Sequence, residues 1–189
     1  MYSLPISLSR VSVREVAKAA VLMLALVTAT VWSQTPVDVR PAQHAMKRFM
    51  QLCMGTVVER ITIEEAAQQL GLQRLEPQAA ARFAGSADAP VWVEQNEFGY
   101  FAVSAKPGNL CSVYARKVDA AALTSAFKTW LPPRESGYQT DALPIFSNRN
   151  QTTITYNIRR NGEPFAVWSL STSTVENSIY QGVISMKKF

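Results

Sequence analysis

QTTITYNIRRNGEPFAVWSLS, Gln151 to Ser171, is the stretch whose reading decides the fold. Ile154, Tyr156 and Ile158 alternate with Thr153, Thr155 and Asn157, the period of two that sends successive side chains to opposite faces of a strand. Asn161-Gly162 follows, a pair that accepts the positive φ angles of a tight hairpin turn. Phe165 to Ser171 then runs back, so the stretch predicts an antiparallel hairpin. Ile179 to Met186 supplies a further strand. On the N-terminal side, Leu143 to Phe146 is expected to be a brief strand or edge segment, and Arg134 to Asp141 a polar loop containing Gly137.

Earlier in the chain the period changes. Asp119 suits an N-cap, and Leu123, Phe127 and then Trp130 or Leu131 form the stripe of a helix that Pro132-Pro133 ends. Before it the period is two again. Val91 to Val93, Tyr100 to Val103 and Leu110 to Val118 are separated by turns at Asn96–Gly99 and Lys106–Asn109, which predicts a three-stranded meander. Cys111, Val113 and Ala115 share one side of its last strand.

The N-terminal third is helical. Ala42 to Val58 carries Ala45, Phe49, Leu52 and Cys53 at helical spacing, with Pro41 in the first turn, where its missing N–H costs nothing. Thr62-Ile63-Glu64-Glu65 is a capping-box sequence. The helix it opens runs through Ala66, Ala67 and Leu70, and Gly71 stops it. A third short helix is expected near Pro77 to Phe83. The fold class is therefore α+β, one domain over residues 42–189. N-terminal helices should pack on an antiparallel sheet of about six strands, with one helix between two three-stranded halves.

Ahead of the domain stands a basic leader with Arg10, Arg14 and Lys18, then an uncharged run from Ala19 to Trp32. That run is shorter than the roughly 20 apolar residues a membrane-spanning helix needs. The layout is that of a signal peptide over residues 1–33, cleaved after Ser33, with residues 34–41 as a polar spacer. The protein is then expected in the periplasm or secreted; the alternative is an inner-membrane anchor through residues 19–32, in which case alone it would touch the membrane. Removing the leader lowers the formal net charge from +5 to +3. The basic pairs that remain, Lys47-Arg48 among them, are scattered rather than striped and read as solvated faces, so no nucleic acid is expected as a partner.

Two cysteines, Cys53 and Cys111, occur in the whole chain. In an oxidising compartment they read as one disulfide. A metal pair would need further ligands, and His44 is the one histidine; a redox pair would normally be Cys-x-x-Cys. No metal or other cofactor is expected.

Catalytic motifs are missing: the chain has no G-x-S-x-G elbow, P-loop, dinucleotide glycine pattern or H-E-x-x-H. His44, in the first helical turn, reads as an exposed surface histidine. Glu94 and Glu97 flank the first hairpin turn and read as solvated acids. The aromatics on the strands are the one feature that invites a binding role. Tyr100 and Phe101 must face opposite sides of their strand, so the aromatics divide between core and outer face. Trp92, Tyr100, Tyr114 and Trp168 are the candidate binding residues.

Phe49 and Cys53 on the opening helix, Trp92 at the first strand, and Cys111 with Val113 on a later one resemble small, largely uncharacterised exported proteins of Gram-negative bacteria. The likeness covers residues 42–118. It implies a periplasmic location and a disulfide, and brings no catalytic residues with it. The reading is an exported protein that is non-enzymatic, a binding or envelope assembly factor with an envelope protein as its partner. The alternative is a small secreted hydrolase using an unrecognised acid pair or His44.

Overall fold

The computed structural model describes residues 37–56, 61–85, 88–106 and 109–189. Residues 37–189 form one compact unit. The expected signal peptide and the first part of the spacer lie outside the described residues.

The Asn161-Gly162 hairpin is present, with φ of 51° and 87° at the two turn residues. It joins β7 (Gln151–Arg160) to β8 (Glu163–Ser173). The meander is also present, as β2 (Val91–Asn96), β3 (Gly99–Lys106) and β4 (Leu110–Arg116). The two parts form one sheet, not two halves. The last strand, β9 (Gly182–Lys188), lies between β4 and β8 and pairs with both, Ser185 facing Ser112 on one side and Ser169 on the other. With β1 (Gln73–Arg74), β5 (Tyr138–Ala142) and β6 (Phe146–Ser147), the sheet has nine strands in the order β1-β2-β3-β4-β9-β8-β7-β5, with β6 also on β7, and every pairing is antiparallel.

About six strands were expected, and the difference lies at the edges. Part of the expected loop at Arg134–Asp141 is strand β5, paired from Tyr138↔Arg160 to Ala142↔Tyr156. Its pairing satisfies the outer hydrogen-bonding groups of β7 and is held on the surface by Arg159 Nη2 donating to Asp141 Oδ2 at 2.6 Å. Strand β1 is two exposed residues. Neither edge buries enough side chain to show a hydrophobic period.

Among the described residues four α-helices cover the sheet, and not all from one side. Helix α1 (Arg40–Phe49) starts two residues earlier than expected, so the spacer ends at Val39. It buries Ala42, Ala45, Met46 and Phe49, and continues as a π-helical turn over Met50–Met54. That wider turn turns Leu52, Cys53 and Met54 inward together, three consecutive residues that a regular helix spreads over more than half its circumference. Val57 and Val58, the expected end of this helix, lie outside the described residues. Helix α2 (Ile63–Gln69) opens with the expected capping box: Thr62 N–H donates to Glu65 Oε2 at 2.7 Å, and Glu65 N–H to Thr62 Oγ1 at 3.1 Å. Helix α4 (Ala120–Thr129) is capped by Asp119, whose Oδ1 accepts from Ala122 N–H at 2.7 Å, and packs on α1 and β8.

Helices α1, α2 and α4 share one core with Phe101, Val113, Trp168, Leu170 and Ile184 of the sheet. Helix α3 (Pro77–Ala84) packs on the opposite face, over Val91, Val93, Ala102 and Tyr114. Beyond α3 that second face is hydroxylated, with Ser112 Oγ 2.8 Å from Ser185 Oγ and Thr153 Oγ1 2.8 Å from Ser171 Oγ. One glycine is required by close approach: a Cβ at Gly182 would sit 2.2 Å from Leu123 Cδ2 of α4.

Candidate functional site

The opening helix and the first meander strand meet at a polar cluster. His44 and Arg48 are one turn apart on α1 and therefore share a face. Opposite them, Glu94 lies on the helix-facing side of β2, with Trp92 and Asn96. His44 Nε2 is 2.6 Å from Glu94 Oε1, Arg48 Nε donates to the same oxygen at 2.7 Å, and Arg48 Nη2 donates to Oε2 at 2.8 Å. Arg48 Nη1 also donates to Gln51 Oε1 at 2.9 Å. The His44 ring lies between Phe98 and Phe101, at centroid distances of 5.0 and 4.7 Å. The side chains of His44, Arg48 and Glu94 are only 11%, 13% and 13% exposed.

This overturns three sequence expectations. His44 is not an exposed surface histidine, Arg48 is not on a solvated face, and Glu94 is not a solvated turn acid. The helical spacing of His44 and Arg48 was visible in the sequence, but no pattern there pairs them with an acid fifty positions away. Glu97 is exposed on the turn and does not join the cluster.

The cluster's chemistry is that of a clamp. Both oxygens of Glu94 already accept, one of them twice, so three of the carboxylate's lone-pair sites are engaged by Arg48 and His44. Asn96 Oδ1 accepts from Phe98 N–H at 2.9 Å, which aims Asn96 Nδ2 at His44 Nε2, 3.2 Å away. Nε2 thus has an acceptor at 2.6 Å and a donor at 3.2 Å. An ionised carboxylate only accepts, so the shorter contact decides: Nε2 carries the proton and donates to Glu94.

Burial alone would raise the Glu94 carboxyl, but the hydrogen bonds from Arg48 and His44 outweigh it and hold the group below the ordinary range. A carboxyl depressed in the folded state stabilises the fold above its unfolded value of about 4.3, and that contribution is lost as pH falls through the folded value. Acid unfolding of the wild type should therefore steepen below about pH 4.3. Glu94→Gln removes that dependence and should lower stability at neutral pH by about 2–3 kcal/mol, somewhat less than for a fully buried pair. Urea midpoints measured from pH 3 to 7 check this; parallel curves for wild type and Glu94→Gln would sink it.

A second feature lies at the disulfide end of the same core. Cys53 and Cys111 are bonded, with Cα atoms 5.6 Å apart. Beside the bridge opens a cleft of about 770 Å³, lined by the bridge itself, Trp92, Met186, Ile61 and Leu110. Half-buried Lys106 and Lys188, with Thr56, Thr62 and Asn109, bring polar groups to the lining; Glu64, also there, is engaged by Arg74 Nη1 at 2.9 Å. None of His44, Arg48 and Glu94 lines this cleft. Among the described residues, no group of three or more His, Cys, Asp or Glu is placed to hold a metal ion, and no helix is long and apolar enough to cross a membrane.

Of the four aromatics expected to bind, three are core. Trp168 is fully buried, Trp92 is 3% exposed and meets the cleft only as part of its lining, and Tyr114 is 5% exposed. Tyr114 faces α3 and is spent on structure, its hydroxyl donating to the Phe83 carbonyl at 2.9 Å. Strand parity separated Tyr100 from Phe101 correctly, but not the covered part of the second face from the open part. Only Tyr100 keeps a half-exposed ring.

Fold and site define a disulfide-linked α+β domain with a clamped polar cluster and a cleft of mixed lining. Compared with known proteins, the chain matches no family model, no curated sequence and no solved structure.

Proposed function

We propose that this is an exported, non-enzymatic binding protein of the bacterial envelope, which holds an apolar or amphiphilic group in the cleft beside the Cys53–Cys111 bridge. The cleft carries the reading. At about 770 Å³ it falls within the range of small-molecule sites, and its mixed lining sets Ile61, Trp92, Leu110 and Met186 beside Lys106 and Lys188, which suits a ligand with an apolar body and a polar end. The leader and the resemblance to exported Gram-negative proteins support the location, and a disulfide is compatible with an oxidising compartment. The hydrolase reading is less favoured because His44, its one named residue, is held against Glu94, which Arg48 also engages through both oxygens.

The test is titration with the neutral apolar fluorophore N-phenyl-1-naphthylamine, followed by displacement with dodecanoate. Saturable binding displaced by the acid is expected. Ile61→Glu puts a charge into the cleft wall and should weaken it at least about tenfold, or 1.4 kcal/mol. No binding by the wild type, or equal binding by Ile61→Glu, would remove the cleft from the argument.

A further inference from the structure

Helix α3 crosses the second face of the sheet and sets Phe83 on a cluster of tyrosines. Its ring lies 6.4 Å from Tyr100, 5.7 Å from Tyr114 and 6.4 Å from Tyr180. Next to this cluster is a cleft of about 380 Å³, separate from the one at the disulfide, with Phe83, Tyr100, Leu75 and Ile179 on its apolar side. Its charged lining is Arg82 and Arg116, and no acid lines it. We propose that this cleft binds a small oxyanion, a carboxylate or a phosphate ester, carried on a flat apolar group.

Three observations carry the proposal. First, the two guanidiniums are unspent. Both arginines are exposed, and among the described residues neither takes part in an ion pair; Arg134, Arg149 and Arg160 make none either, but none of these lines the cleft. Arg82 stands in the last turn of α3, where a cation suits the helix dipole. That accounts for Arg82 but not for Arg116, a strand residue.

Second, the sheet register joins charge to ring. Tyr100 and Arg116 are direct cross-strand partners on β3 and β4, and their side chains leave the same face. A ligand ring resting on Tyr100 would have its acidic group beside the Arg116 guanidinium, whose planar donors match a carboxylate or phosphate two bonds at a time. Burial raises the Tyr100 phenol, with Arg116 opposing. The hydroxyl therefore stays protonated at neutral pH, and among the described residues it makes no hydrogen bond.

Third, the apolar side is open. Ile179, on the loop into β9, is 54% exposed although it lines the same cleft as the Phe83 and Tyr100 rings. A flat apolar body would cover it.

Calorimetric titration of the full chain tests this with four probes sharing one ring. Phenyl phosphate and benzoate should bind saturably, and their relative affinity tells which oxyanion is preferred. Benzamidine, with the charge reversed, and benzyl alcohol, with none, should show no saturable heat. Arg116→Gln should weaken the favoured anion at least tenfold, and Arg82→Gln with Arg116→Gln should abolish it; the exposed Lys128→Gln should leave it unchanged. Matching thermal midpoints would show that all these variants fold. Benzamidine binding as well as benzoate, undiminished binding in the double variant, or no binding of either anion would each overturn the proposal. The outcome is independent of the disulfide-end cleft, since no residue lines both.

Discussion

Removing the Cys53–Cys111 bond is expected to lower stability by about 4 kcal/mol, the chain-entropy value for a loop of this length. The two cysteines are 58 positions apart, and the loop they close holds α2, β1, α3, β2 and β3. Without the bond the unfolded chain gains the freedom of that whole segment. The folded chain also loses a direct tie between the π-helical turn after α1 and β4. Cys53 is fully buried and Cys111 is 3% exposed, so serine at either position would add a hydroxyl to the core. Cys53→Ala with Cys111→Ala is the cleaner variant, and chemical reduction of the wild type should shift the denaturant midpoint by a similar amount. The bond also reports on location. A chain lacking residues 1–33 and made in a reducing cytoplasm should be isolated with free thiols and gain stability on oxidation. An unchanged midpoint after reduction would show that α1 is held by packing alone.

What could be read from the chain, and what could not, divides along a physical line. Local signals held wherever neighbours in sequence are neighbours in space. The Thr62–Glu65 capping box, the Asp119 cap, the Asn161-Gly162 turn and the meander are all decided within a few residues. The facing of Cys111 followed from strand parity, and its bond to Cys53 from there being two cysteines and an expected oxidising compartment. Three features depended on long-range placement. The insertion of β9 between β4 and β8 joins two parts that sequence order keeps apart, and nothing in Gly182–Lys188 names its neighbours. The crossing of α3 to the second face depends on a chain path, not on its own composition. The His44–Arg48–Glu94 clamp needs α1 to lie across β2, a packing outcome. The Arg82–Arg116 cleft is a fourth such feature, since its residues come from the segment before α3, from α3, β3 and β4, and from the loop before β9. A polar residue whose partner is distant reads as solvated until the fold brings the partner in.

Trp168→Ala should be among the most damaging single substitutions, lowering stability by about 3–5 kcal/mol, whereas Trp168→Phe should lower it by about 1 kcal/mol or less. Trp168 sits on β8 where three packing elements meet. It faces Tyr156 on β7 and Met186 on β9, receives the edge of Phe49 from α1 at 5.0 Å and 86°, and lies 6.5 Å from Phe127 of α4. Alanine would leave a cavity that α1 and α4 could fill only by moving relative to the sheet, and both helices are already tied elsewhere, α1 through the Glu94 clamp. Phenylalanine sets two effects against each other. It removes part of the ring and opens a small void, which destabilises. It also removes the indole N–H, which is fully buried with no hydrogen-bond partner among the described residues and weakens the native fold by about 1–3 kcal/mol while it stays unpaired. The gain from the second offsets most of the loss from the first. The contrast between the two variants, measured as urea midpoints under identical conditions, is therefore the informative quantity. If Trp168→Phe proves as damaging as Trp168→Ala, the N–H is bonded in solution and the ring's hydrogen bond, rather than its volume, holds α1 to the sheet.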